Sequence, residues 1–412
     1  MRAVTRRRTS IAVVAAAAVF VASAAEAQKK YDHGANDTEI KIGNIMPYSG
    51  PASSYGVIGK TEKAYIDMIN AEGGVNGRKI NFISYDDAYS PPKAIEQARK
   101  LVESDEVLFI FQSLGTPSNS AIMKYMNAKK VPQLFVASGA TKFGDPKNFP
   151  WTMGFQPNYQ SEGHIYAKYI LEHFPNSKIA VFWQNDDAGK DQFKGLKDGL
   201  GDKVSMIIAD KSYEVSDPSI DSQIVALHDS GADFFFSWAA PKGSAQAIRK
   251  VGELGWKPKF FLANTATTIA SVLKPAGLEY SKGIISTAYV KDPTDPIWKD
   301  DPGMQKWRAF MDKWYPEGDK ANSNNAYAYV ESQALIQVLK QCGDNLTREN
   351  VMKQAANLKN FTSDMLLPGI TINTSPDDYN PIEQMQLMRF NGESWELFGP
   401  IITGEVGHDA SH

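Results

Sequence analysis

Two kinds of segment alternate along most of this chain. Short runs such as EIKIGNIMP, KINFISYDD, EVLFIFQS and VPQLFVAS are almost continuously apolar or β-branched. Between them, PPKAIEQARKLVESD and TPSNSAIMKYMNAKK repeat their apolar residues at helical spacing. The first kind predicts strands covered on both faces and the second predicts amphipathic helices. Past FGDPKNFPWTMGF the alternation restarts. SEGHIYAKYILEHF, AGKDQFKGLKDGL, SIDSQIVALHDSG and GSAQAIRKVGELGW are predicted helices, and SKIAVFWQN, KVSMIIADKSY, ADFFFSWAA and KPKFFLAN are predicted strands. Two α/β units follow from this, each with a mainly parallel sheet. Near the end, LLPGITINT, PIEQMQLMRF and SWELFGPII read as short antiparallel strands, preceded by a long helix from Asn324 to Gln341.

The first residues break the pattern. MRAVTRRRTS carries four arginines, IAVVAAAAVFVASA is a small apolar run of fourteen, and Ala25 to Ala27 is a small-x-small site. Residues 1–27 therefore read as a secretory signal peptide, too short and too rich in alanine for a membrane anchor. The mature chain is expected to be exported and to begin near Gln28, with about 385 residues, enough for two lobes. Its net charge moves from −3 to about −6 when the leader is removed, which gives no sign of a nucleic-acid partner. Cys342 is the only cysteine, on the long helix, and reads as a buried small hydrophobe.

In open α/β sheets ligands sit beyond the carboxyl ends of the strands. Six loops follow those ends: YSGPASSYG, FQSLGTPSN, VASGAT, WQNDDAGK, FSWAAPKG and LANTATT. They are rich in Ser, Thr, Gly, Asn and aromatics and contain no histidine. Hydroxyls and free N–H groups at helix starts hold an anion without competing protonation. Tyr55 and Trp238 offer flat faces to an apolar body. This inventory suits holding a ligand more than transforming it. SYGVIGKT misses the first glycine of a phosphate-cradling loop, because Ser54 stands there. No G-x-S-x-G or H-E-x-x-H occurs, and the six histidines are scattered. Asp186 and Asp187 are adjacent on a loop, where neighbouring side chains point apart. The acidic stretch DPTDPIWKDDPG reads as a solvated surface loop, because Asp292, Asp295, Asp300 and Asp301 lack compact ligand spacing. No metal or cofactor is expected.

Taken together, IGNIMPYSGPASSYG, INAEGGVNGRKI, the SGAT turn and NDDAGKD resemble the type I periplasmic solute-binding proteins, specifically the leucine/isoleucine/valine-binding family that feeds ATP-driven importers. The resemblance covers essentially the whole mature chain. It implies two Rossmann-like lobes joined by three crossover strands, with ligand in the interlobe cleft and lobes that close by hinge motion. Boundaries at Pro146–Phe155 and at Gly283 then give one lobe from 28–150 plus 284–360 and the other from 151–283 plus 361–412. The resemblance also implies a partnership with the membrane permease subunits of an ABC importer. Ser138, Gly139, Ala140 and Thr141 correspond to the family's carboxylate-binding turn, and Gln112, Ser113, Leu114 and Gly115 resemble its second anion-binding loop. Tyr55 matches an aromatic lining position, with Ser54 offering a hydroxyl beside it.

Departures from the family concern the ligand. Thr265 stands where amino-acid binders place an acid for the ligand ammonium, Ala188 stands in place of a tyrosine, and Ala239 with Trp238 stands near another. An unpaired ammonium in a closed cleft is costly, and smaller side chains enlarge the pocket. The expected ligand is a small carboxylate with an apolar or aromatic body and no α-ammonium. An amino acid remains the alternative, with Asp186 or Asp187 replacing the missing acid.

Overall fold

A computed structural model describes residues 29–404. The signal peptide expected over residues 1–27 lies outside the described residues.

Two doubly wound sheets make the framework. In the smaller, five parallel strands run in the order Lys79–Asp86, Glu39–Met46, Phe109–Phe111, Gln133–Val136, Thr152–Gly154. In the larger, Ile207–Tyr213, Ile179–Gln184, Phe234–Trp238, Lys259–Leu262 and Ile285–Ala288 are parallel in the equivalent order. Gln384–Phe390 and Trp395–Thr403 then extend that sheet antiparallel. Each sheet thus places its second strand in sequence on one side of its first and its third on the other. The order reverses beside the first strand, and loops diverge there to leave a crevice. The core strands are buried on both faces, as in FFFSW at Phe234–Trp238, where all five residues are buried. That accounts for their continuous apolar sequence.

Helix starts follow local chemistry. Asp186 caps Asp187–Leu200 by accepting from the N–H groups of Ala188 and Gly189 at 2.9 and 3.2 Å. Pro117 and Pro241 sit in the first turns of Thr116–Lys129 and Pro241–Glu253, where no helical donor is lost. The AEGGVNGR turn needs its glycines. Gly74 has φ +81°, and a Cβ there would lie 1.9 Å from the Arg78 carbonyl oxygen.

Three connections join the lobes, and each falls later than the sequence boundaries suggest. Thr152–Gly154 still pairs with Gln133–Val136 in the smaller sheet, past residue 150. Ile285–Ala288 still pairs with Lys259–Leu262 and Gln384–Phe390 in the larger, past residue 283. Tyr379 still bonds the Pro150 carbonyl, so the last crossing lies between it and Gln384, past residue 361. Proline clusters mark turns, whereas a lobe ends only where its ladder does. LLPGITINT forms no strand; Ile372 makes only an isolated bridge with Phe361. The long helix, Ser323–Cys342, packs on Val57–Ala71 in the smaller-sheet lobe. Cys342 is buried on it, and burial pushes its thiol up to about 12, in keeping with a packing role. No described helix is long and apolar enough to cross a membrane.

Candidate functional site

The two switch points face one another across a cavity of about 1030 Å³, its mouth included. From the smaller-sheet lobe come Tyr55, Tyr89, Leu114, Gly115 and Thr116. From the larger come Gln184, Ala188, Trp238, Ala239 and Thr265. Tyr159, Tyr289 and Tyr327 line it from the crossover side and from the start of the long helix. Six aromatic rings therefore face the cavity, and no Lys, Arg or His lines it among the described residues. Among the described residues, Asp292 is its only lining carboxylate.

The lobes touch directly across this space. The Tyr55 hydroxyl donates to the Thr265 carbonyl at 3.0 Å, and the Gln184 amide donates to the Tyr89 hydroxyl at 3.4 Å. Burial holds the Tyr55 and Tyr89 phenols well above the usual range, so both remain protonated donors.

Of the residues singled out from sequence, Tyr55, Leu114, Gly115, Ala188, Trp238, Ala239 and Thr265 line the cavity. The others do not. Ser54 opens onto an outer groove with Pro51, Pro241 and Lys242. Gln112 and Ser113 are buried in the strand end, where Gln112 donates to the Phe135 carbonyl and Ser113 to Asn119. Ser138 bonds the Thr116 hydroxyl at 2.6 Å and accepts from the Ala140 N–H at 3.1 Å. Gly139 has no room for a side chain against Pro157 and Tyr159. Ala140 and Thr141 face a second, outer groove. There the Thr141 N–H and hydroxyl both donate to Asp191 Oδ2, at 2.7 and 2.8 Å. The turn expected to take a ligand carboxylate is therefore occupied by a carboxylate of the opposite lobe. Asp186 is spent on its helix cap and on Gln184, and burial raises its carboxyl. Asp187 pairs with Lys142 at 2.6 Å, which lowers its carboxyl. Neither aspartate lines the cavity.

Sequence reasoning missed Asp292: DPTDPIWKDDPG is solvated from Pro296 to Asp300, apart from the half-buried Trp298, but its first residues turn inward. Lys291, Asp292 and Asp295 are buried. Lys291 Nζ binds Asp301 at 2.7 Å and the Asp364 carbonyl at 2.8 Å, which folds the segment inward. Asp292 Oδ1 accepts from the N–H and hydroxyl of Thr294, while burial pushes its carboxyl up to about 6. Position within a crossover, which no local pattern encodes, places it in the cleft. Tyr289 was missed for the same reason, and Asn324 and Tyr327 because tertiary packing brings the start of the long helix to the cleft. Behind the wall, Glu162 is fully buried and accepts at Oε1 from Tyr166, the Asn264 N–H and Thr287, at 2.8, 2.8 and 3.2 Å. Desolvation lifts it to about 7.

Residues 39–394 match the periplasmic binding protein family. The Leu/Ile/Val-binding protein homolog 1 of Brucella abortus (strain 2308) is 25% identical over 336 residues, 79% of this chain and 85% of that protein. The Leu/Ile/Val-binding protein of Escherichia coli (strain K12) is 24% identical over 224 residues, 54% of this chain and 60% of that one. In structure, the chain resembles a branched-chain amino acid ABC transporter protein from Thermus thermophilus with bound valine. The TM-score is 0.79 at 15% identity, covering 90% of this chain and 97% of that one. It also resembles a fatty acid ABC transporter substrate-binding protein from Thermomonospora curvata, with TM-score 0.77 at 19% identity over 92% and 95% of the two chains.

Proposed function

The chain belongs to the periplasmic binding protein family, and from that premise we propose that it is an exported solute receptor delivering its ligand to the permease subunits of an ABC importer. It captures a small carboxylate with an apolar or aromatic body between its lobes and performs no chemistry on it. One observation carries this reading: six aromatic rings surround an interlobe cavity whose polar lining is amides, hydroxyls and a single carboxylate. Such a lining solvates a ring or alkyl body and offers neutral donors to an acceptor group. The structural neighbour named for fatty acids supports this solute class, and the relatives named for leucine, isoleucine and valine support the amino-acid reading that follows.

A second reading is favoured by Asp292. Its carboxylate lines the cavity and suits the ammonium of a branched-chain or aromatic amino acid.

Thermal unfolding against two solute sets tests both. One set is benzoate, 3-phenylpropanoate and short fatty acids; the other is leucine, valine and phenylalanine. A solute at about a hundred times its dissociation constant adds roughly 2.7 kcal/mol. Stabilisation by the first set alone is expected. Stabilisation by the second alone transfers the assignment to amino acids. Stabilisation by neither, or turnover of any of them, overturns the receptor reading.

A further inference from the structure

Resting on that reading, we propose that the solute's acceptor group is held by the Trp238 indole N–H from one lobe and the Asn324 side-chain amide from the other, rather than by the SGAT turn. Three observations converge. First, the turn is already used: Ser138 is bonded within its own lobe, and Thr141 gives both donors to Asp191. Second, Trp238 Nε1 and Asn324 Nδ2 are buried donors with no hydrogen-bond partner among the described residues, and both residues line the cavity. A buried donor left unmade carries a desolvation penalty, so an acceptor brought in by a solute is rewarded at these positions. Third, no cationic side chain among the described residues lines the cavity to compete for an anion.

The placement also matters. Trp238 ends a strand of the larger sheet. Asn324 opens the long helix that packs on the other lobe, and its own N–H is already taken by the Asn322 side chain. A solute bonded to both is held by each lobe through a neutral donor. This chemistry admits a carboxylate or a neutral carbonyl and selects against a pure hydrocarbon. The Trp238 ring is fixed against Phe236 at 4.9 Å, so its N–H is presented at a set position.

The test uses the mature protein and the panel above, with propylbenzene added as a body lacking any acceptor. Trp238→Phe keeps an aromatic ring and removes the donor. Asn324→Leu keeps approximate volume and removes the amide. Each variant is first compared with the parent for unfolding without solute, which reports folding separately. For a panel member that binds, each variant is expected to weaken binding on the order of tenfold, while binding of propylbenzene changes much less. Thr141→Val leaves the affinity ratio of acid to hydrocarbon unchanged. An unchanged ratio in both Trp238→Phe and Asn324→Leu overturns this inference and leaves the receptor reading standing. Binding of no panel member by the folded parent overturns both. If Trp238→Phe fails to fold, the ratio in Asn324→Leu decides alone.

Discussion

The Tyr55 hydroxyl donates to the carbonyl oxygen of Thr265 across the cleft, joining residues 210 positions apart at 3.0 Å. One partner lies in the loop after the first strand of one lobe and the other in the loop after a strand of the second. The bond therefore exists only while the lobes are together. A net contribution of about 1 kcal/mol from such a bond shifts a closed–open equilibrium roughly fivefold. Tyr55→Phe, which removes only the hydroxyl, is expected to raise the solute-free radius of gyration by small-angle scattering. Scattering superimposable on the parent would show that closure does not depend on this bond.

Asp191 is the stronger of two latches at the outer edge. It accepts from the N–H and hydroxyl of Thr141 across the lobes, and the Gln160 amide of its own lobe holds the carboxylate in place. Bonds to a charged acceptor contribute about 1.5–3 kcal/mol each when sheltered. Nearby, Lys142 and Asp187 pair at 2.6 Å with side chains 37% and 47% exposed, and such pairs contribute about 0–1 kcal/mol. Asp191→Ala is therefore expected to open the lobes and lower the melting temperature well beyond the effect of Lys142→Met. Equal effects of the two variants on melting and scattering would refute this ranking.

The framework was legible because each local signal agreed with the fold. FFFSW could only be a two-face-buried strand, AEGGVNGR could only turn through glycine, and the restart after Phe155 marked a second unit. The cavity was legible in part. Tyr55, Trp238 and Thr265 stand at or past strand ends, where the doubly wound order must place a crevice. Asp292, Tyr289 and Asn324 were not legible, because the first two reach the cleft by the path of a crossover and the third by the docking of the long helix, both set by long-range packing. Thr141 shows a related limit. A turn rich in N–H and hydroxyl groups attracts a carboxylate, but sequence does not say whether that carboxylate belongs to a ligand or to Asp191.

Glu162 links stability to pH. Its carboxyl rises from 4.5 to about 7 through burial, offset by bonds from Tyr166, Asn264 and Thr287. The folded state thus holds this proton more tightly than the unfolded chain. The resulting stabilisation is complete below pH 4.5 and is lost as pH rises to about 7, on the order of 3 kcal/mol. Glu162→Gln does not titrate. Its stability relative to the parent, from urea unfolding, is expected to improve between pH 4.5 and 7.5. A difference that stays flat across that range would mean that Glu162 does not change charge on folding.

The charge of the solute can be read from the sign of a pH dependence at Asp292. This carboxyl titrates at about 6 because it is desolvated, and no Lys, Arg or His lining the cavity offsets it. A bound carboxylate is repelled by ionised Asp292, so binding favours the protonated form. Affinity is then constant below pH 6 and falls above it, by at most about tenfold per unit. An amino acid whose ammonium meets Asp292 reverses the sign, with affinity rising towards pH 6 and levelling off above. Titration calorimetry from pH 5 to 8 with 3-phenylpropanoate and with leucine separates the two. Asp292→Asn should flatten whichever slope is found. It should also strengthen binding of the carboxylate at pH 8, where the parent's repulsion is greatest, and weaken binding of leucine there. A slope that survives in Asp292→Asn would assign the proton to a different group, with Glu162 behind the same wall as the next residue to change.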